Sequence, residues 1–153
     1  MDLVQITEQA IEIAPLMAKL HEADDGQGAI VTFSGRVRGR TDGVSALFLE
    51  HYPAMTEKSL RQIVADARQR WSLGHVCVIH RVGEMRPGDT IVFVAATSAH
   101  RRSAFEAAQY LMDRLKTEAP FWKKEKRGEQ WHWVAAKKSD QALRSRWDKP
   151  TNQ

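Results

Sequence analysis

Along most of this 153-residue chain, apolar positions either alternate with polar ones or recur at helical spacing, and these two periods divide it into elements. Leu3–Thr7 reads as a short strand, and Pro15–Glu22 as a short helix with proline in its first turn. Asp24-Asp25-Gly26-Gln27-Gly28 is turn chemistry. Ala29–Arg38 then alternates. Ala29, Val31, Phe33, Gly35 and Val37 form one face, and Thr32, Ser34, Arg36 and Arg38 the other, with Ile30 an exception on the polar side. Side chains on a strand repeat with period two, so Arg36 and Arg38 must point the same way.

Gly39–Gly43 is a polar loop, expected to be mobile, and Val44–Tyr52 a second strand. From Pro53 to Trp71, Leu60, Ile63, Val64, Ala67 and Trp71 fall at helical spacing and make one buried stripe. His75–Gly83 alternates again, and Arg86-Pro87-Gly88-Asp89 turns the chain into Thr90–Thr97, a dense β-branched run. Ser98 suits a helix cap, and the helix after it has the stripe Phe105, Ala108, Leu111, Met112 and Leu115. Beyond Pro120 come Phe121–Arg127, a Gly128 turn, and Gln130–Ala136 with Trp131 and Trp133 on one face. From Val44 to Arg127 the order is strand, helix, strand, strand, helix, strand. That order predicts an α+β protein with a split βαβ core, two helices lying on one face of an antiparallel sheet.

The length suits a single domain over residues 1–136, followed by a basic tail over 137–153 anchored only by Leu143 and Trp147. Such a tail is an arm that docks late or stays loose. With 42% hydrophobic and 27% charged residues, the composition supports a core and lies far from disorder. No apolar run approaches the roughly 20 residues that span a bilayer. The acidic start, with no basic n-region, is unlike a signal peptide, and the expectation is a cytoplasmic protein. A single cysteine, Cys77, leaves neither an internal disulfide nor a cysteine-cluster metal site. The formal charge of +4 favours anionic partners without choosing among them.

No Walker loop, G-x-G-x-x-G or spaced metal set is present, so no metal or cofactor is expected. Cys77, mid-strand between Val76 and Val78, reads as a small buried hydrophobe, and His75 and His80 as ordinary strand residues. Glu50-His51 is either an acid/base pair or, by preference, a hydrogen-bonding group that closes the turn into Pro53. His100-Arg101-Arg102 opens a helix, where free N–H groups attract anions. The alternative there is simple pairing of an arginine with Glu106 or Glu118.

The densest signal is Lys116–Arg127, reading KTEAPFWKKEKR. Pro120 must stop the preceding helix, Phe121 and Trp122 offer apolar surface to pin the chain, and Lys123, Lys124 and Lys126 follow. Lys116 and Lys123 are then held by separate elements that meet at one corner, which suits gripping an anion or moving a proton. A cationic helix end favoured by the macrodipole is the alternative reading of the same residues. Arg36, Arg38, His100, Arg101, Lys116 and Lys123 together form a cationic set able to hold an anion and to stabilise negative charge as it develops.

These segments resemble the catalytic, or large, subunit of molybdopterin synthase. The resemblance is carried by Gly28–Arg38 (GAIVTFSGRVR), Leu49–Pro53 (LEHYP), Met55–Lys58 (MTEK), His80–Glu84 (HRVGE), Pro87–Asp89 (PGD), Thr97–Arg101 (TSAHR) and Lys116–Lys123 (KTEAPFWK). It covers roughly Gly28 to Lys124. It implies an α/β hammerhead-type fold with a small additional β subdomain, and a homodimer within a heterotetramer. The partners would be small ubiquitin-like sulfur carriers, each with a C-terminal glycine thiocarboxylate. The implied reaction moves sulfur onto cyclic pyranopterin monophosphate and forms the dithiolene of molybdopterin. By motif match, Lys116 and Lys123 would be catalytic. Arg36, Val37, Arg38, His100, Arg101, Lys116, Lys123, Lys124 and Glu125 would contact substrate, with His100 and Arg101 acting across the dimer. Arg36 departs from the pattern, since lysine is also familiar there. Two other classes compete: a nucleic-acid module built on Trp122, Trp131 and Trp133, and a regulatory ligand-binding domain without turnover. The ordered HR…K…FWK constellation argues against both, so neither nucleic acid nor membrane is an expected partner.

Overall fold

The computed structural model describes residues 2–39, 43–134 and 145–148. These form an α+β fold with two four-stranded sheets. The elements are β1 (Asp2–Thr7), α1 (Ile13–Glu22), β2 (Ala29–Arg36), β3 (Val44–His51), α2 (Pro53–Arg70), β4 (Val76–Arg81), β5 (Gly83–Met85), β6 (Thr90–Ser98), α3 (Arg101–Glu118), β7 (Phe121–Arg127) and β8 (Gln130–Val134). Much of the Gly39–Gly43 loop, Leu143 and most of the expected tail lie outside the described residues.

The first sheet has the order β1-β4-β6-β2, with β1 parallel to β4 and the other neighbours antiparallel. Both its faces are covered. On one, Val76, Val78, Val92, Val94 and Ala96 pack against Leu60, Ile63 and Val64 of α2 and Ala107, Leu111 and Leu115 of α3. On the other, Cys77, Ile79, Phe93 and Ala95 pack against Leu20, Leu16 and Met17 of α1. Ile30 is half-buried and packs against this second core, so an apolar residue on the face that reads as polar has a partner at that end of β2.

The second sheet has the order β5-β3-β7-β8 and is antiparallel. Here the expected single split βαβ sheet is corrected, because the four strands between Val44 and Arg127 divide between two sheets. β4 and β6 stay in the first, while β3 and β7 pair with each other seven residues deep, from Val44↔Arg127 to His51↔Phe121. Gly83 (φ +83°) lets the chain leave β4 and cross into the second sheet as β5. Gly128 (φ +61°) supplies the positive φ that a two-residue hairpin needs at its first central position between β7 and β8.

Two details of α3 differ from expectation. Its N-cap is His100 rather than Ser98, because β6 continues through Ser98, whose hydroxyl donates to the Ser72 carbonyl at 2.8 Å. Its buried stripe runs through Ala104, Ala107, Ala108, Leu111 and Leu115, leaving Phe105 62% exposed. The alanines let the helix axis approach β6 and β2 closely, which the larger ring would prevent. At the other end, Ala119 is extended (ψ 128°) as the residue before proline must be, and the helix stops at Glu118.

Trp147, in a short 3-10 turn (Arg146–Asp148), anchors the chain beyond β8. Its ring meets Trp71 and Tyr110 edge-on at 5.8 and 5.4 Å, and its Nε1 donates to the Asp113 carboxylate at 2.6 Å. Among the described residues no helix is long and apolar enough to cross a membrane.

Candidate active site

The stop at Pro120 builds the site. Helix α3 ends with Lys116 in its last turn, the chain reverses, and β7 starts at Phe121 and runs back along β3. Lys123 stands opposite Leu49 and Glu125 opposite Leu47. Leu47 and Leu49 are buried and face inward, so Lys123 and Glu125 face inward too. Between the two sheets lies a cleft of about 490 Å³. Arg36, Val37 and Arg38 line it from the end of β2, Lys116 from α3, and Lys123, Glu125 and Arg127 from β7. Val37 is held there by backbone bonds on both sides, from its N–H to Asp89 and from the Gly88 N–H to its carbonyl, each 2.9 Å. Arg36 and Arg38 reach the same cleft, but not by the expected alternation: β2 ends at Arg36 after a register shift at Gly35/Arg36, and Val37 between them lines the cleft as well.

Six of the nine residues implicated by sequence meet here. Lys124 does not, because neighbours on a strand point to opposite faces. Its Nζ lies on the outer side of the second sheet, 4.8 Å from the centre of Phe48, 5.2 Å from Trp133 and 5.9 Å from Trp131. His100 and Arg101 do not meet the cleft within one chain either. They are exposed at the start of α3, with Arg101 fifteen residues before Lys116, a separation of roughly 22 Å along a helix that rises about 1.5 Å per residue. Their neighbour Arg102 is engaged by Glu106 at 3.0 Å, as the plainer reading of that segment supposed.

Two cleft residues escaped the sequence reading. Arg127 contributes its guanidinium and pairs with Glu125 at 3.2 Å. It shares strand parity with Lys123 and Glu125, a signal that was present but is readable only once β7 is known to be a strand. His80, read as an ordinary strand residue, lines the cleft beneath Lys116. Its ring stacks on Phe121 at 4.2 Å with 28° between planes, and Nδ1 lies 2.9 Å from the Arg81 carbonyl. Burial first, and then the nearby charge of Lys116, push its pKa down to about 4 against the opposing pull of that carbonyl, so the imidazole is neutral near pH 7.

Cys77 is 5% exposed, and burial raises its thiol to about 11. It therefore supplies no thiolate at neutral pH. The Glu50-His51 alternatives leave less trace: His51 stands opposite Phe121 in the ladder, with 6.5 Å between rings.

Lysine and arginine side chains converging on a cleft with an apolar wall, in an α+β fold of two sheets, give a site whose charge is complementary to an anion. The chain belongs to the MoaE family, the catalytic subunits of molybdopterin synthase, and so is an enzyme of molybdenum cofactor biosynthesis: the family described as MoaE protein matches residues 6–118. A molybdopterin synthase catalytic subunit of Salmonella typhimurium is 62% identical over 127 residues, covering 82% of this chain and 85% of that protein. A solved MoaE protein of Burkholderia ambifaria is similar with a TM-score of 0.83 at 42% identity, covering 97% of this chain and 99% of that one. A Helicobacter pylori chain solved as a complex of subunits 1 and 2 of molybdopterin-converting factor is 20% identical with a TM-score of 0.74, covering 86% and 90%, a likeness of fold.

Proposed function

We propose that this chain transfers sulfur from the C-terminal thiocarboxylate of a small ubiquitin-like carrier to cyclic pyranopterin monophosphate, forming the dithiolene of molybdopterin. The observation that carries the reading is the convergence of Lys116 and Lys123, from separate elements, on one cleft that also holds Arg36 and Arg38. Both substrates are anions, and ammonium and guanidinium groups set in a partly dry cleft attract them more strongly than in water. Lys116 and Lys123 are assigned the catalytic roles of stabilising charge and moving protons at the reacting sulfur and carbon. Arg36, Val37, Arg38 and Glu125 bind substrate. The buried, protonated Cys77 supports delivery of the sulfur by the partner rather than by this chain.

His100 and Arg101 fit the same site if they come from a second copy, since α3 separates them from their own Lys116. The assembly proposed is thus a homodimer within a heterotetramer with two carriers; the Helicobacter pylori protein of similar fold was solved as a complex of two different subunits. Its fold is read as α/β hammerhead-type, with residues 1–136 as one catalytic domain, 137–153 as a basic tail, and the cytoplasm as its compartment.

The test is to supply the protein with a thiocarboxylated carrier and the pterin precursor and to follow product. Formation of the dithiolene supports the reading. Failure with a competent carrier, while the precursor binds, would reduce it to a binding role.

A further inference from the structure

The groups aimed into the cleft are unbalanced in hydrogen-bonding type. Arg36, Arg38, Lys116, Lys123 and Arg127 are donors only. Glu125 accepts, but as a charged carboxylate, with its Oε2 paired to Arg127 at 3.2 Å. His80 is the neutral acceptor. Its Nδ1 lies 2.9 Å from the Arg81 carbonyl, and a carbonyl only accepts, so Nδ1 carries the hydrogen and Nε2 the lone pair. Among the described residues no second hydrogen bond reaches this ring, and Nε2 is not among the buried polar atoms left without a partner, so it opens to the cleft.

The ring is also held still. Phe121 stacks on it at 4.2 Å, and Phe121 is itself fixed by its N–H donating to Ala119 at 2.9 Å and by pairing with His51. The cleft that His80 lines also has an apolar portion, with Leu47, Leu49, Ile91, Met112 and Leu115 among its wall residues. A flat heterocycle would fit such a wall while its phosphate meets the cations at the rim. One oriented acceptor in an apolar surface discriminates strongly, because a ligand without a matching donor leaves it unpaired.

We propose that His80 is a substrate-binding residue whose Nε2 accepts a hydrogen bond from a ring N–H or hydroxyl of the pterin, so that the cleft selects an anion that also carries a donor. This rests on the pterin reading above and adds to it the acceptor that orients the ring.

The experiment is calorimetric titration of the full-length chain, wild type and His80→Phe, with cyclic pyranopterin monophosphate and with inorganic pyrophosphate, an anion poor in donors. Phenylalanine keeps the stack on Phe121 and removes the lone pair. The expected result is pterin binding weakened about tenfold or more, with pyrophosphate affinity unchanged within about twofold. Equal weakening of both ligands would make His80 a packing residue and overturn the assignment, as would unchanged pterin affinity. If His80→Phe does not fold, ¹⁵N-histidine spectra of the wild type decide: the Nε2 resonance should move on adding the pterin and not on adding pyrophosphate, and a resonance indifferent to the pterin sinks the proposal. Wild-type protein that binds no pterin would remove the substrate reading itself, whereas wild-type binding matched by His80→Phe would remove only His80.

Discussion

Lys123 stands opposite Leu49 in the β3–β7 ladder, and Lys124 stands opposite Phe48. One step along the strand therefore separates a lysine aimed into the cleft from one lodged among aromatic rings. Lys123→Ala is expected to cut single-turnover product formation by about 10²–10⁴-fold, the range for a lost acid/base group. Lys124→Ala should leave turnover and pterin affinity near wild type and instead lower stability by about 1 kcal/mol through lost cation–π contact. Comparable kinetic losses in the two variants would contradict the parity argument.

Lys116 offers a sharper distinction between charge and proton transfer. Lys116→Ala should abolish most turnover without altering secondary structure, because the side chain is exposed at the helix end. Lys116→Arg keeps the charge but hardly releases a proton. Turnover near wild type in Lys116→Arg would make the residue an electrostatic anchor only, whereas activity as low as the alanine variant's assigns it proton transfer.

A site shared across a two-fold dimer should show complementation. Neither Lys116→Ala nor Arg101→Ala should be active alone, but mixing unfolded chains of both and refolding them gives hybrids with one intact site. Random pairing should then restore roughly a quarter of wild-type turnover, since half the dimers are hybrids with one good site of two. No recovery in mixtures shown to contain hybrids would place Arg101 outside the shared site.

His80 also leaves a mark on stability. Its folded pKa of about 4 lies below its ordinary value of 6.5, so the unfolded chain binds more protons between those pH values. Its contribution is complete above pH 6.5 and is lost as pH falls toward 4, up to about 3 kcal/mol in all. Urea unfolding of the wild type should therefore weaken across this window more steeply than that of His80→Phe. Parallel curves would mean that the ring is protonated in the fold.

Cys77→Ala should retain sulfur transfer and cost about 1 kcal/mol, as expected for trimming a small buried group. Loss of turnover in a folded Cys77→Ala protein would contradict delivery of sulfur by the partner.

Much of this was legible in the chain itself, for local reasons. Pro53 and Pro120 delimit helices wherever they occur, and the stripe Leu60–Ile63–Val64–Ala67 needs only helical period to be read. The approach of Lys116 and Lys123 across the proline follows from the same short-range rules, whereas Arg38 reaches the cleft from beyond the end of β2. What escaped depends on contacts distant in sequence. Alternation in β3 and β7 says that each is a strand but not that they pair with each other and leave the first sheet. Phe105 falls at helical spacing with Ala108 and Met112, yet Ala104 and Ala107 hold the position nearest the sheet. His80 looked ordinary because its neighbours Lys116 and Phe121 lie some forty residues away. That Lys124 lies on the opposite face of β7 from Lys123 was within reach of parity.

Helix α3 bears candidate cations at both ends, Arg101 and Lys116, and this makes its residue count a constrained quantity. Each residue of a helix adds about 100° of rotation and 1.5 Å of rise. A single insertion between Ala104 and Leu115 would swing one cation set out of phase with the other and drag the alanine stripe off the sheet. The Gly128 hairpin, exposed and remote from the cleft wall, carries no such phase. Length variation among homologous chains should therefore gather at hairpins and ends and spare α3, whose eighteen residues serve as a gauge between two sites of charge.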